Sequence, residues 1–122
     1  MSETWRQFVV LEHDTGQGVH WDLMVESGEM LATWQLSLAP LKQRSQIDAR
    51  RIFDHRLAYL EYEGSISHDR GNAVQWDRGR CQIIDCDALQ WIINFDGRRI
   101  HGRYTLQREL DHAAWVLKQQ RG

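Results

Sequence analysis

A chain of 122 residues, 42% apolar and 26% charged, has the size and make-up of one compact globular domain. Its formal net charge of −2 excludes a protein that coats nucleic acid by bulk positive charge. No apolar run approaches the ~20 residues of a membrane-crossing helix. The opening MSETWRQ also lacks the apolar stretch of a secretory leader, so a cytoplasmic location is expected.

Strand signals dominate from the start. Residues 8–13 are rich in β-formers, and residues 19–26 alternate apolar and polar, with a turn at Thr15-Gly16-Gln17-Gly18 between them. Ser27-Gly28-Glu29 turns the chain into a strand over 30–36. Residues 37–46 hold the only proline, Pro40, and read as a loop or short helix. An extended pattern resumes at 49–54, before the segment HRLAYLEYEG, and residues 65–72 are polar and loop-like. Residues 73–76 and 80–84 read as strands joined by a turn at Asp77-Arg78-Gly79. Residues 89–95 form an apolar run ending at the turn Asp96-Gly97. Residues 98–108 then alternate, with Ile100, Gly102, Tyr104 and Leu106 on one face and Arg99, His101, Arg103 and Thr105 on the other. Residues 111–119 suit either a helix or a closing strand. Many short strands joined by tight turns predict an all-β domain spanning 1–122, a small antiparallel barrel, closed or partly open.

Six tryptophans recur in apolar stretches, which makes them core residues first and base-stacking residues second. Of the 15 basic residues only Lys42 and Lys118 are lysine, so local phosphate binding through guanidinium forks stays open despite the net charge. Cys81 and Cys86 fit neither a zinc spacing nor a disulfide framework and are expected to be buried free thiols.

The residues that carry chemistry lie near the N-terminus. In a strand His20 and Asp22 point the same way, and the hairpin would bring His13 alongside them. Two imidazoles and a carboxylate suit Mn²⁺, Fe²⁺ or Zn²⁺ rather than Ca²⁺. The same pattern also fits the solvated face of an ordinary strand.

The stretch FVVLEHDTGQGVHWDLMVE resembles the opening motif F-V-x-x-x-H-D-A-R-x-L-H-Y-D-x-R-L-E of the 3′-phosphoesterase domain of bacterial DNA ligase D. The similarity continues in order. Ala32-Thr33-Trp34 falls at that family's S-W-A-V, and Asp54-His55-Arg56-Leu57-Ala58-Tyr59 at its D-H-P-L-D-Y. Trp76-Asp77-Arg78-Gly79 falls at W-D-R-G, Gly102-Arg103-Tyr104-Thr105-Leu106 at G-x-W-x-L, and Trp115-Val116-Leu117-Lys118 at the closing W-x-L-I-K. The resemblance implies a small β-barrel with its site in an open groove. It implies that His13, His20 and Asp22 hold one catalytic Mn²⁺, or another divalent ion such as Zn²⁺ or Co²⁺. It further implies that His55 contacts the scissile phosphate and that Tyr59 supports that site. The implied reaction removes a 3′-terminal ribonucleoside or 3′-phosphate from DNA or DNA/RNA primer ends, alongside a separate ligase or polymerase in end joining, with no membrane partner. The closing segment is then expected to be a strand.

This chain departs from that pattern where phosphate would be gripped. Met24 stands in place of the arginine, and Ser37 or Leu38 in place of the lysine after S-W-A-V, with Lys42 arriving later. The hairpin turn is longer, the loop between Gly64 and Trp76 is shorter, and the chain begins close to Phe8, so an upstream substrate-binding arm is expected to be missing. Arg51 shares the face of His55 if that strand is regular, and Arg103 lies on a second basic face with Arg99 and His101; these are candidates for substitute phosphate contacts, the second group reading first as an exposed strand face. Two alternatives to an enzyme stand: a weakened or inactive domain that binds metal and nucleic-acid ends, and a metal-free barrel that binds protein or a small ligand.

Overall fold

The computed structural model describes residues 4–40, 46–65, 71–109 and 114–120. The late-arriving Lys42 and parts of the loops expected at 37–46 and 65–72 lie outside them. The chain is all-β, as expected. Nine antiparallel strands run in order: β1 (Arg6–Asp14), β2 (Val19–Ser27), β3 (Met30–Leu36), β4 (Gln46–Arg56), β5 (Gly64–Ser65), β6 (Asn72–Cys86), β7 (Gln90–Gly97), β8 (His101–Arg108) and β9 (Ala114–Gln119). Neighbours follow the order β1-β2-β3-β4-β9-β8-β7-β6, and β6 pairs back onto β1, closing an eight-stranded barrel. The short β5 sits beside the start of β6. A single 3₁₀ turn, Leu57–Glu61, follows β4. The described part of the ambiguous C-terminal segment is β9, which bridges β4 and β8 and completes the ring. Among the described residues no helix is long and apolar enough to cross a membrane.

Burial patterns divide the barrel into two kinds of wall. On β7 every second residue is buried (Trp91, Ile93, Phe95), the mark of a sheet with one face inward and one toward water. On β1, β2 and β3 consecutive residues are buried, because both faces are covered. Phe8, Val10, Leu23, Val25 and Trp34 face the barrel interior. Val9, Leu11, Met24 and Leu31 face outward into a second apolar layer capped by Leu60 of the 3₁₀ turn. The functional side chains stand where this outer layer ends.

The interior is built around Trp34, whose ring meets Trp91 at 5.1 Å and Trp115 at 5.8 Å, both edge to face. Trp21 and Trp76 pack against this core, while Trp5 is exposed beneath the Arg80 guanidinium. Cys81 is buried as expected, but Cys86 is exposed near the end of the long β6.

The turn expected at Asp77-Arg78-Gly79 does not form. These residues lie inside β6, whose first part pairs with β1 and whose last part pairs with β7. Trp76 is the extra residue of a bulge opposite Val10 and Leu11, and the bend that looks like a turn in sequence is this bulge. Asp77 is buried and accepts hydrogen bonds from the backbone N–H groups of Arg78, Arg98 and Ile100 at 2.7–2.8 Å. It thereby pins the connection between β7 and β8. Gly79 is required for a matching reason: a Cβ there would stand 2.3 Å from the Asp96 carbonyl oxygen.

Candidate metal centre and its pocket

The β1–β2 hairpin places His13 directly opposite His20, and Asp22 opposite Leu11. A turn closed by the Thr15 N–H donating to the Gly18 carbonyl at 2.9 Å fixes this register. Strand alternation then puts all three functional side chains on the outer face with Leu11 and Met24. His13 Nδ1 lies 3.0 Å from His20 Nε2 and 3.6 Å from an Asp22 oxygen, and His20 Nε2 lies 3.1 Å from the other. The two rings stand nearly perpendicular at 4.6 Å. Ligands sharing one ion through bonds of about 2.1 Å stand roughly 3–3.4 Å apart, so these spacings suit a common cation.

The chemistry of Asp22 points the same way. Only 7% exposed, its Oδ1 makes no well-formed hydrogen bond among the described residues, although the His20 Nε2 stands 3.1 Å away. A buried carboxylate oxygen without a donor is costly unless a positive charge faces it. A divalent ion between two imidazoles meets that need, and the donor set fits one. His13, His20 and Asp22 are the group of potential metal ligands found among the described residues.

Beside the triad opens a cavity of about 490 Å³. His13 and Asp22 form part of its wall, and His55 and Tyr59 another part, with Met24 between. Four of the expected site residues therefore share one cavity, and His20 joins them through the triad. The His55 ring is held on three sides. Its Nδ1 donates to the Phe53 carbonyl at 3.0 Å, its face stacks on Phe53 at 4.8 Å, and the Tyr59 ring meets it edge-on at 5.3 Å. Since a carbonyl can only accept, Nδ1 carries a proton in this contact, and Nε2 is the ring nitrogen not engaged by it.

The two substitute phosphate contacts are not in this cavity. Arg51 faces the barrel interior, its guanidinium 4.5 Å from the Trp34 ring and 5.3 Å from Trp91. The reason is a bulge in β4. Ile52 pairs with Thr33 but His55 pairs with Leu31, leaving Phe53 and Asp54 opposite the single Ala32. The extra residue reverses the alternation, so Arg51 and His55, on one face of a regular strand, take opposite faces here. Arg51 instead reaches the cavity-lining Asp54 at 3.4 Å. Arg103 is exposed on β8, across the barrel from β2, and donates to Asn94.

Three cavity residues escape a reading of the sequence: Gln35, Phe53 and Arg56. Gln35 is the one amide in the apolar run of β3 and lies opposite Asp22, a signal that was available. Arg56 ends β4 just before the 3₁₀ turn, and Phe53 sits in the bulge, so neither obeys the strand alternation used to assign faces.

The family model of the DNA ligase D 3′-phosphoesterase domain matches residues 11–108, a span that includes the triad, His55 and the Asp77 bulge. The chain is also 30% identical over 112 residues to the multifunctional non-homologous end joining protein LigD of Pseudomonas aeruginosa, covering 84% of this chain and 13% of that protein. It is 30% identical over 110 residues to the LigD proteins of Mycobacterium bovis and Mycobacterium tuberculosis, covering 83% of this chain and 14% of theirs. It thus spans about a seventh of the length of these relatives. A match that runs through the barrel from β1 to β8 places it in sequence as its hairpin and pocket do in structure: the chain belongs to the DNA ligase D 3′-phosphoesterase domain family.

Proposed function

We propose that this domain is a divalent-metal-dependent phosphoesterase that removes a 3′-phosphate or a 3′-terminal ribonucleoside from nucleic-acid ends during end joining. The observation that carries this reading is the convergence of His13, His20 and Asp22 at the wall of the cavity that also holds His55. Phosphoesters are anionic and repel nucleophiles, so cleavage depends on positive charge set against the non-bridging oxygens. A divalent ion, best taken as Mn²⁺ with Zn²⁺ or Co²⁺ as substitutes, supplies that charge and acidifies water. His13 and His20 present neutral ring nitrogens to it and Asp22 a carboxylate. His55, with its Nδ1–H committed to the Phe53 carbonyl, takes up a second proton at Nε2 and as the imidazolium passes it to the departing oxygen. Tyr59 restricts the rotation of that ring. Arg56, the arginine that lines the cavity among the described residues, adds a cation where Met24 cannot.

The test uses a 5′-labelled primer on a template, ending in a 3′-phosphate or a single ribonucleotide. With Mn²⁺ the protein shortens or dephosphorylates the end, and His20→Ala or Asp22→Ala lowers the rate at least ~100-fold. Substrates left untouched with Mn²⁺, Zn²⁺ and Co²⁺ alike would reject the reading. Burial of Met24 where the family pattern has arginine favours a second one, an accessory domain that binds the metal and the primer end without turnover. Metal-dependent binding with no product identifies that case. We further propose a separate ligase or polymerase as its working partner, a reading supported by relatives named as multifunctional end-joining proteins of which this chain spans only a part.

A further inference from the structure

We propose that Phe53 is a stacking platform for the base of the 3′-terminal nucleotide, so that the pocket selects phosphoesters carrying a nucleobase. The inference rests on the phosphoesterase reading above and names its substrate class more closely. Phe53 is 75% exposed, the most exposed large apolar side chain among the described residues. Covering this cavity-lining ring with a planar occupant would remove apolar surface from water and so favours binding. One face of the ring lies parallel to the His55 ring, 4.8 Å away with planes 9° apart. The stack therefore has one free end, and only a flat partner continues it.

The neighbouring groups say what that partner carries. Arg56 lines the same cavity with His13 and Asp22 of the triad, so the occupant combines an anion, for Arg56 and the cation the triad would hold, with a planar ring for Phe53. A nucleotide joins those two features through one sugar. The β4 bulge that turns Arg51 inward is the same device that brings Phe53 outward beside His55, which makes the ring's exposure a consequence of how the site is built. Stacking on an aromatic side chain depends little on base identity, so any base serves.

The experiment compares primer–template duplexes ending in a non-hydrolysable 3′-phosphonate, one on a normal terminal nucleotide and one on an abasic sugar. Dissociation constants are read by fluorescence anisotropy with Mn²⁺ present. Wild-type protein binds the base-bearing end roughly 10-fold more tightly than the abasic end. In Phe53→Ala that preference falls to near one, and in Phe53→Trp it is retained or increased. Because the side chain is exposed, all three proteins keep the same melting temperature. An equal loss for both ends in Phe53→Ala assigns the ring to holding His55 alone and overturns the proposal. A wild-type protein that binds both ends equally overturns it while leaving the phosphoesterase reading intact. Failure of the wild type to bind either end removes both.

Discussion

At the scale of single residues, Asp22 is a buried carboxylate whose cost to stability a bound cation would offset. Its buried Oδ1 makes no well-formed hydrogen bond, so in chelator Asp22→Asn is expected to melt no lower than wild type. With Mn²⁺ at 100 times its dissociation constant, the wild type gains about 2.7 kcal/mol and the variant gains little. Thermal melts with and without metal check both halves, and a large apo destabilisation in the variant contradicts the first. Met24 presents the opposite case. It is 1% exposed, wedged among Val9, Leu11, Leu31 and Leu60, yet it borders the cavity. Met24→Arg should lower stability by about 1–3 kcal/mol, because its stem must fit a packed layer. Its head should reach the cavity and tighten 3′-phosphate binding. Urea unfolding and anisotropy measure the two effects separately.

At the scale of elements, irregular places in strands carry more consequence than the strands themselves. The β4 bulge decides which side chains reach the cavity, and the β6 bulge places Asp77 where it collects three backbone N–H groups. Asp77→Ala leaves those donors buried without an acceptor and is expected to cost about 3–5 kcal/mol. Asp77→Asn keeps one oxygen and should cost clearly less. Equal losses in equilibrium unfolding would show that the carboxylate is not the pin of the β7–β8 connection. Gly79→Ala should be severe as well, since backbone of β7 already occupies the space of the added methyl. The family-like W-D-R-G motif is thus a structural staple on the far side of the chemistry.

At the scale of the molecule, closure of the ring removes most exposed strand edges, and two apolar layers share the β1–β3 wall. Burial also shapes the response to alkali. Desolvation, aided by Glu26 and opposed by Arg6, pushes the Cys81 thiol up to about 12 from its usual 9.0. Burial, with Asp77 nearby, raises Tyr104 as well. A raised folded pKa means stability that is complete below the unfolded value and lost as pH climbs toward the folded one. Stability should therefore fall from about pH 9 upward, and Cys81→Ala should flatten the early part of that decline in urea titrations. In native protein at neutral pH a thiol reagent should modify Cys86 and spare Cys81 until denaturant is added. The sequence alone determined the all-β class, the hairpin and the gathering of His13, His20 and Asp22, because period-two alternation is a local property, whereas His55 and Tyr59 stand out only through the family resemblance. It also placed most tryptophans in the core. What it misjudged were the face of Arg51, the burial of Cys86 and the supposed turn at Asp77, and it overlooked Phe53, Arg56 and Gln35. Those depend on bulges that reverse a strand's faces and on which strands become neighbours when the ring closes. Such pairings are made between residues far apart in the chain, so only the folded barrel decides them.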